Sequence, residues 1–385
     1  MRVSGDWIET AGSQAVCRLL YEAGFQAYFV GGCVRNSLLH QPVDDVDIAT
    51  DARPEVVMSL AERPGFKAVP TGIEHGTVTI VVDSRSYEVT TFRRDVETYG
   101  RHATVTFSSN IEDDARRRDF TMNALYARAD GSVIDPLGGL EDLRERHVRF
   151  IEDPCRRIRE DYLRILRFFR FHAWYGDPAD GLDPAGMAAV ASNLDGLEWL
   201  SRERIGHEVT KLLGAPDPTQ AVAAMCSVGV LAAILVGATD SSLPSLVRLE
   251  QESGVAPDAL RRLAVLGCNS ASTALRFSRK QARRLQRLAG ASSNTMTPEE
   301  LGYRYGVRDG CDMILIRAAM QGVPPLPDFK ESLHAGDAAV FPVEARDLMP
   351  QYAGQALGTQ LGKLENIWID SGFSLSRKEL LDQVS

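Results

Sequence analysis

Two hydrophobic periods divide the chain. In the first 150 residues apolar and polar positions alternate in short runs. Beyond Pro154 apolar positions recur every three or four residues. Period two marks a strand and period 3.6 a helix. FQAYFV and DVDIAT predict strands. GTVTIVVD and SYEVTTF predict a hairpin turning at Ser84-Arg85. GSVIDP and HVRFI predict two more short strands around a GGLEDLRER helix. Residues 1–24 predict a helix packed on the sheet. PEVVMSLAER predicts another, with Pro54 in the first turn, where its missing N–H costs nothing. Residues 93–111 are polar and aperiodic and predict a mobile loop. The pattern gives a mixed α/β head, expected to span residues 1–152, of ordinary domain size.

The remainder predicts helices only. Asp183-Pro184, Ala215-Pro216 and the GVPPLPDF stretch, with Pro324, Pro325 and Pro327, are breaks between them. SRKELLDQV predicts a last helix. The expected division is a helical segment over 153–214 and a second helical part over 215–385.

Composition adds little to this picture. At 385 residues, 44% hydrophobic and 25% charged, the chain has ample core for two or three domains. No stretch approaches the roughly 20 apolar residues of a membrane span. MRVSGDWIET lacks an apolar signal core, so a cytoplasmic protein is expected. The six cysteines form no C-x-x-C and no zinc-type cluster, and are expected to be reduced and buried. A net charge of −9 argues against wrapping nucleic acid nonspecifically, but leaves room for an RNA held by a local patch. Arginines gather between Arg93 and Arg170 with almost as many acids among them. They read either as a salt-bridged surface or as a cleft for phosphates and bases.

The chemistry begins in FVGGCVRNSLLHQPVDDVDIAT. A strand enters the Gly31-Gly32 turn, which opens a helix whose N-terminus favours a phosphate. Arg35, one turn in, can clamp it. Asp45 and Asp47 are one residue apart on a predicted strand, and so project from one face. Two such carboxylates suit Mg²⁺ and leave positions for phosphate and water. In SYEVTTFR, Glu88 either completes a carboxylate trio, if its strand lies beside DVDIAT, or is a strand-surface glutamate. ARRRDFTMNAL predicts a helix with Asp119 and Asn123 on one face. Arg118 then reaches the triphosphate while Asp119 and Asn123 orient sugar hydroxyls, or the three simply cap the helix and pair with one another.

DPCRRIREDYLRILRFFRFHAWY predicts one amphipathic helix. Ile158, Tyr162, Ile165, Leu166 and Phe169 form its apolar stripe, and Arg164, Arg167 and Arg170 a positive wall. Asp161 and Arg164 fall three residues apart. One reading is a surface salt bridge. The other is that they imitate a nucleobase edge. An ionised aspartate only accepts and an arginine only donates, which matches cytosine and adenine and opposes guanine and uracil. Each mismatched buried group costs about 1–3 kcal/mol.

GGCVRN…DVDIAT, YEVTTFR, RRRDFTMNAL, DPLGGLEDL, REDYLRILRFFRF and SRERIGHEVTKLL occur in the order found in class II tRNA nucleotidyltransferases (CCA-adding enzymes) and bacterial poly(A) polymerases, which the chain resembles over roughly residues 24–214. The resemblance implies a nucleotidyltransferase head with a mixed sheet like that of DNA polymerase beta, followed by an all-α neck, body and tail. It implies Mg²⁺ on Asp45 and Asp47, and an incoming CTP or ATP on Gly32, Arg35 and Arg118. Asp161 and Arg164 would act as a protein template supported by Arg167 and Arg170, and Ser201, Arg202, Glu203 and Arg204 would lie on a neck helix behind it. Residues 93–111 would be the loop linked to switching from C to A. The expected partner is tRNA, with no DNA and no membrane. Three alternatives remain open on sequence: a poly(A) polymerase, an enzyme adding only CC or A, and a catalytically silent RNA-binding protein. One departure from the family pattern is Asn36, where an aspartate usually follows the arginine; the loss of charge is expected to steady Arg35 less.

Overall fold

The computed structural model of the protein describes residues 1–99, 102–268 and 270–384. The chain forms two compact units, Met1–Val236 with Ala274–Arg276, and Gly237–Thr273 with Phe277–Ser385. Among the described residues no helix is long and apolar enough to cross a membrane.

The first unit is built on a seven-stranded mixed sheet. Its strands are β1 (Ala27–Val30), β2 (Val46–Thr50), β3 (Lys67–Gly72), β4 (Thr77–Val82), β5 (Arg85–Thr91), β8 (Tyr126–Ala127) and β9 (Val133–Ile134). The order is β3-β4-β5-β2-β1-β8-β9. β2 pairs antiparallel with β1 and parallel with β5, setting Asp47 opposite Glu88. Ile48, Ala49, Val89, Phe29 and Val30 are buried behind it. β4 and β5 alternate buried apolar residues with polar ones on the other face, and the start of β2 is where chemistry can reach solvent.

Several expected elements differ. The hairpin turns at Asp83 and Ser84, both left-handed, while Arg85 already pairs with Val82; two such residues match the right-handed twist of the strands. Residues 93–111 are not a loop. They contain β6 (Arg93–Tyr99) and β7 (His102–Phe107), an antiparallel pair forming its own two-stranded sheet. A two-stranded ribbon that pairs with no strand of the main sheet is weakly specified by alternation, which hid it from the pattern. Gly100 and Arg101 of the expected loop lie outside the described residues. HVRFI contributes only an isolated bridge, Phe120 to Phe150. The unpredicted β3 is a largely exposed edge strand. The N-terminal helix is two, Asp6–Glu9 and Ala11–Glu22.

The predicted helix over 154–175 splits into Pro154–Glu160 and Leu163–Tyr175. Asp161 is extended (φ −153°, ψ 105°), and its Oδ1 accepts from Leu163 N at 3.1 Å. Short aspartate side chains compete for the backbone in this way and end helices. Aromatic packing holds the second helix on the head. Phe120, Phe150 and Phe168 are fully buried, with Phe120–Phe150 centroids 4.9 Å apart and Phe150–Phe168 5.3 Å. Such pairs add roughly 0.5–1.5 kcal/mol each beyond their buried area.

The second unit is helical. Its longest helix, Pro298–Gln321, is interrupted at Gly306 (φ 76°). It packs on Phe329–Asp337 with near backbone contact. A Cβ on Gly302 would lie 2.1 Å from Leu333 O, and one on Gly336 1.9 Å from Glu299 O. GVPPLPDF separates these two helices, as its prolines suggest. The last helix is Arg377–Leu381, opened by a Ser376–Glu379 capping box. Four of the six cysteines are buried, and Cys155 and Cys226 are half-buried.

Candidate active site

A cleft of about 630 Å³ opens in the first unit. Gly31, Gly32, Arg35, Asp45, Asp47, Arg118, Asp119, Asn123, Arg167 and Arg170 all line it, as do Phe171, Trp174, Tyr175 and Lys211. Ten sequence-predicted residues drawn from four separate stretches thus meet in one place.

The glycine turn is shaped by what surrounds it. Gly31 has φ 71°, and a Cβ there would come within 3.3 Å of the Arg118 guanidinium. A side chain would be strained and would push Arg118 away. The Gly31 N–H donates to Leu125 O at 3.0 Å, so this amide holds the turn rather than facing the cleft. The helix that follows, Gly32–Leu38, carries Arg35 inward.

Arg35 is buried, 6% exposed. It donates to Asn36 Oδ1 from Nε (3.2 Å) and Nη2 (2.8 Å), to Tyr175 Oη at 2.8 Å, and to Asn123 Oδ1. Its guanidinium lies 4.1 Å from the Tyr175 ring centroid and 5.1 Å from that of Phe171. Among the described residues it has no carboxylate within ion-pair distance, unlike the other three cleft arginines. Burial pulls its pKa below the usual guanidinium range, against the influence of Tyr175 and Asp119. A buried cation held only by neutral acceptors and ring faces suits an anionic ligand.

The other arginines are fixed by acids. Buried Asp114 accepts from Arg118 Nη2 (2.9 Å), Arg117 (2.6 Å) and Tyr126 Oη (2.7 Å). Burial pushes its carboxyl up, but Arg117, Arg118 and Tyr126 outweigh this and hold it well below the usual range. Asp119 accepts from Arg167 (2.5 Å) and Asn123 Nδ2 (2.8 Å), and is likewise depressed against burial by Arg167, Asn123 and Arg164. Asp119 and Asn123 do pair, one of the two readings left open, but the expected helix is a 3₁₀ turn, Thr121–Asn123. Arg170 pairs with Glu208 at 2.6 Å.

Asp47 is half-buried at the start of β2. Asp45 is exposed and precedes the strand, which begins at Val46. The period-two argument therefore covers Asp47 alone, although both carboxylates line the cleft. Burial pushes the Asp47 carboxyl up to about 6, with the Glu88 and Asp45 charges adding and Arg118 opposing. Crowded oxygen donors with too little cationic charge beside them fit a hard divalent ion. Glu88 is exposed, sits opposite Asp47 in register, and is not among the residues lining the cleft. Among the described residues no three His, Cys, Asp or Glu side chains converge on a common metal position.

Asp161 and Arg164 do not line the cleft either, and their side chains do not pair with each other. Asp161 Oδ2 accepts from Arg204 at 2.7 Å, and its side chain is 33% exposed. Arg164 donates to Glu160 Oε2 (2.7 Å), Arg157 O (2.8 Å) and Arg117 O (2.8 Å). Arg204 and Glu208 both come from the Arg202–Leu213 helix, capped by Ser201, which therefore braces Asp161 and Arg170. Sequence reasoning missed Tyr175, Phe171 and Asp114. For Asp114 a signal existed, its spacing of three and four residues before Arg117 and Arg118. For Tyr175, which reads as core, none did.

Comparison with known proteins agrees with this geometry. Residues 27–149 match the poly A polymerase head domain family, and residues 181–240 match a family described as the probable RNA and SrmB-binding site of polymerase A. Head and cleft together define a nucleotidyltransferase, and membership of this class implies a divalent metal. The mitochondrial CCA tRNA nucleotidyltransferase 1 of Danio rerio is 31% identical over 399 residues, covering 98% of this chain and 91% of that protein. The CCA-adding enzyme of Geobacillus stearothermophilus is 42% identical over 217 residues, 56% of this chain and 52% of that one, so the chain matches about half the length of this relative. A crystal structure of the Bacillus stearothermophilus CCA-adding enzyme in complex with CTP superposes with a TM-score of 0.78 at 30% identity, covering 94% of this chain and 92% of that one. The Thermotoga maritima CCA-adding enzyme complexed with tRNA shares the fold, with a TM-score of 0.69 at 19% identity, covering 96% and 93%. The chain belongs to the CCA-adding enzyme family of tRNA nucleotidyltransferases.

Proposed function

We propose that this protein adds C, C and A to the 3′ end of tRNA from CTP and ATP, releasing pyrophosphate, in the cytoplasm. The observation that carries the reading is the cleft in which the Gly31-Gly32 turn, Asp45, Asp47 and four arginines converge. Arg35, Arg118, Arg167 and Arg170 receive the triphosphate, and the carboxylates behind three of them fix their orientation in advance. Asp119 and Asn123 orient the sugar hydroxyls. The 3′-hydroxyl of the tRNA attacks the α-phosphorus; the new O–P bond forms as the bond to the bridging oxygen breaks and pyrophosphate leaves. Mg²⁺ held by Asp45 and Asp47 supplies activation of the hydroxyl and neutralisation of phosphate charge. Glu88 acts on Asp47 through its charge.

Asp161 and Arg164, braced by Arg204 and Glu160, select the base: an acceptor and a donor accept C and A and reject G and U. The order C, C, A follows from how the growing end changes the space beside them. Residues 1–152 serve as the head, 153–214 as the neck, and 215–385 as the body and tail that hold the tRNA.

Incubating the protein with tRNA lacking its 3′ end, Mg²⁺ and each nucleotide separately tests the reading. Two C and then one A, with termination, is expected. Long A tails would replace it with a poly(A) polymerase, and no incorporation with a silent RNA-binding protein. Asp161→Ala should admit wrong bases; unchanged selectivity would remove the template role.

A further inference from the structure

The proposed function assigns tRNA to the helical second half but names no residue there that touches it. The chain has no Asp or Glu between Asp258 and Glu299, while eight arginines and lysines fall in that interval, in a protein of net charge −9. Five of the eight lie on one helix, Arg279–Ala289, which has no acidic residue at all. They divide into two sets. Arg284 and Arg287 are ion-paired: half-buried Arg284 meets Asp258 (2.9 Å), Asp309 (2.8 Å) and Asp312, and exposed Arg287 meets Asp309 (2.6 Å). Arg279, Lys280 and Arg283 are exposed and, among the described residues, form no ion pair. Carboxylates near the helix are thus spent on the paired set, and the helix's outer face keeps its full positive charge.

The fold gains nothing from that outer charge. Arg279 and Arg283 are four residues apart, a like-charge spacing that destabilises a helix. They also line a cleft of about 720 Å³ and, among the described residues, are its only charged lining; the rest mixes apolar and neutral polar residues, among them Leu285, Ser272 and Gln286. Among the described residues no aromatic side chain lines it, so they offer no platform for stacking a base. Guanidinium groups with no acid beside them suit phosphate oxygens.

We infer that the outer face of the Arg279–Ala289 helix is a docking surface for the phosphate backbone of the tRNA, with Arg279, Lys280 and Arg283 as its contacts. This rests on the proposed function for the identity of the RNA. The surface holds the backbone without reading sequence, so it acts on affinity and salt dependence and not on which nucleotide is added.

The test is the triple variant Arg279→Gln, Lys280→Gln, Arg283→Gln in the full chain. tRNA binding is measured against salt concentration, and addition kinetics alongside. Each lost phosphate contact removes about one unit of log–log salt slope, so the slope should fall by about 2–3. The KM for tRNA should rise on the order of tenfold, with kcat and the KM for CTP unchanged. Replacing Arg279 and Arg283 by lysine, with Lys280 kept, should preserve the wild-type slope, because charge carries the effect. A glutamine variant with the wild-type slope overturns the inference. So does one that keeps tRNA binding but loses binding to phosphatidylglycerol vesicles. A wild-type protein that adds nothing to tRNA overturns the proposed function instead, and the slope still decides this surface.

Discussion

Both units of this protein contain a cluster of arginines and carboxylates, and the two are built differently. In the second unit Arg261 and Arg262 are almost wholly buried and share Glu250, while Arg261 also meets Asp312 at 2.6 Å and Arg284 meets Asp258, Asp309 and Asp312. Every guanidinium there has a carboxylate, and the cluster is closed. In the first unit Arg118, Arg167 and Arg170 are each paired, but Arg35 has only Asn36, Asn123, Tyr175 and two ring faces. That cluster is open by one anion. A closed network answers its own desolvation and serves the fold, whereas an open one leaves charge available to a ligand.

Substitutions should separate the two. The largest effect on chemistry is expected from Asp47→Ala. Losing a metal ligand removes several kcal/mol of transition-state stabilisation, on the order of 10³-fold or more in nucleotide incorporation. Urea unfolding should be unchanged, and an active variant would detach the cleft from catalysis. Arg261→Met should do the opposite. It leaves Glu250 and Asp312 buried with a partner removed, at a cost of about 3–5 kcal/mol in stability, while the protein that remains folded keeps its KM for CTP. Arg35→Met stands between them. Its KM for CTP should rise roughly 10- to 100-fold, the loss of charged hydrogen bonds worth about 1.5–3 kcal/mol. Its unfolding midpoint should fall clearly less than that of Arg261→Met. Equal destabilisation by the two would mean that the open cluster is as structural as the closed one.

The open cluster was the more legible of the two in sequence, for a physical reason. Its residues sit in short segments whose local order is dictated by chemistry: a glycine turn before Arg35, and a strand start at Asp47. The closed cluster joins Glu250, Arg261 and Asp312 from three helices, and nothing local relates them. The central strands β1, β2, β4 and β5 could be read because burial imposes a pattern on them. The edge strand β3 could not, since it is largely exposed, and the β6–β7 ribbon could not, since it pairs outside the main sheet. The helix break at Asp161 was missed because helical periodicity continues on both sides of it. The break matters for the site: it takes Asp161 out of helical register with Arg164 and hands it to Arg204.

Acid should act on both clusters. Arginines hold Asp114 and Asp119 in the first unit and Asp258 in the second below their usual range, against burial. A depressed folded pKa gives stability that is fully present above the unfolded value near 3.9 and is lost as pH falls through the folded one. The thermal midpoint should therefore drop steeply below about pH 4. Asp114→Asn, which has no charge to lose, should lower the midpoint at neutral pH and flatten the acid limb. An unflattened limb would place the acid sensitivity elsewhere.

The smallest expected effect is the most informative about why the first cluster is open. Asn36 uses both ends of its amide. Oδ1 accepts from Arg35, and Nδ2 donates to Pro42 O at 2.9 Å. Asn36→Asp would place a carboxylate against Arg35 and close the network, but would set that carboxylate against the Pro42 carbonyl, acceptor facing acceptor. Charged hydrogen bonds contribute about 1.5–3 kcal/mol against about 0.5–1.5 for neutral ones, so the two Arg35 bonds should outweigh the lost one by about 1 kcal/mol. In a unit of this size that is a rise of roughly 2–4 °C in the melting midpoint, with the added nucleotides still C, C and A. A midpoint that does not rise would show that the Tyr175 and Phe171 rings already answer the Arg35 charge. The cluster would then be closed by aromatic faces instead of an acid, and Tyr175→Leu, not Asn36→Asp, would be the substitution that moves both stability and the KM for CTP.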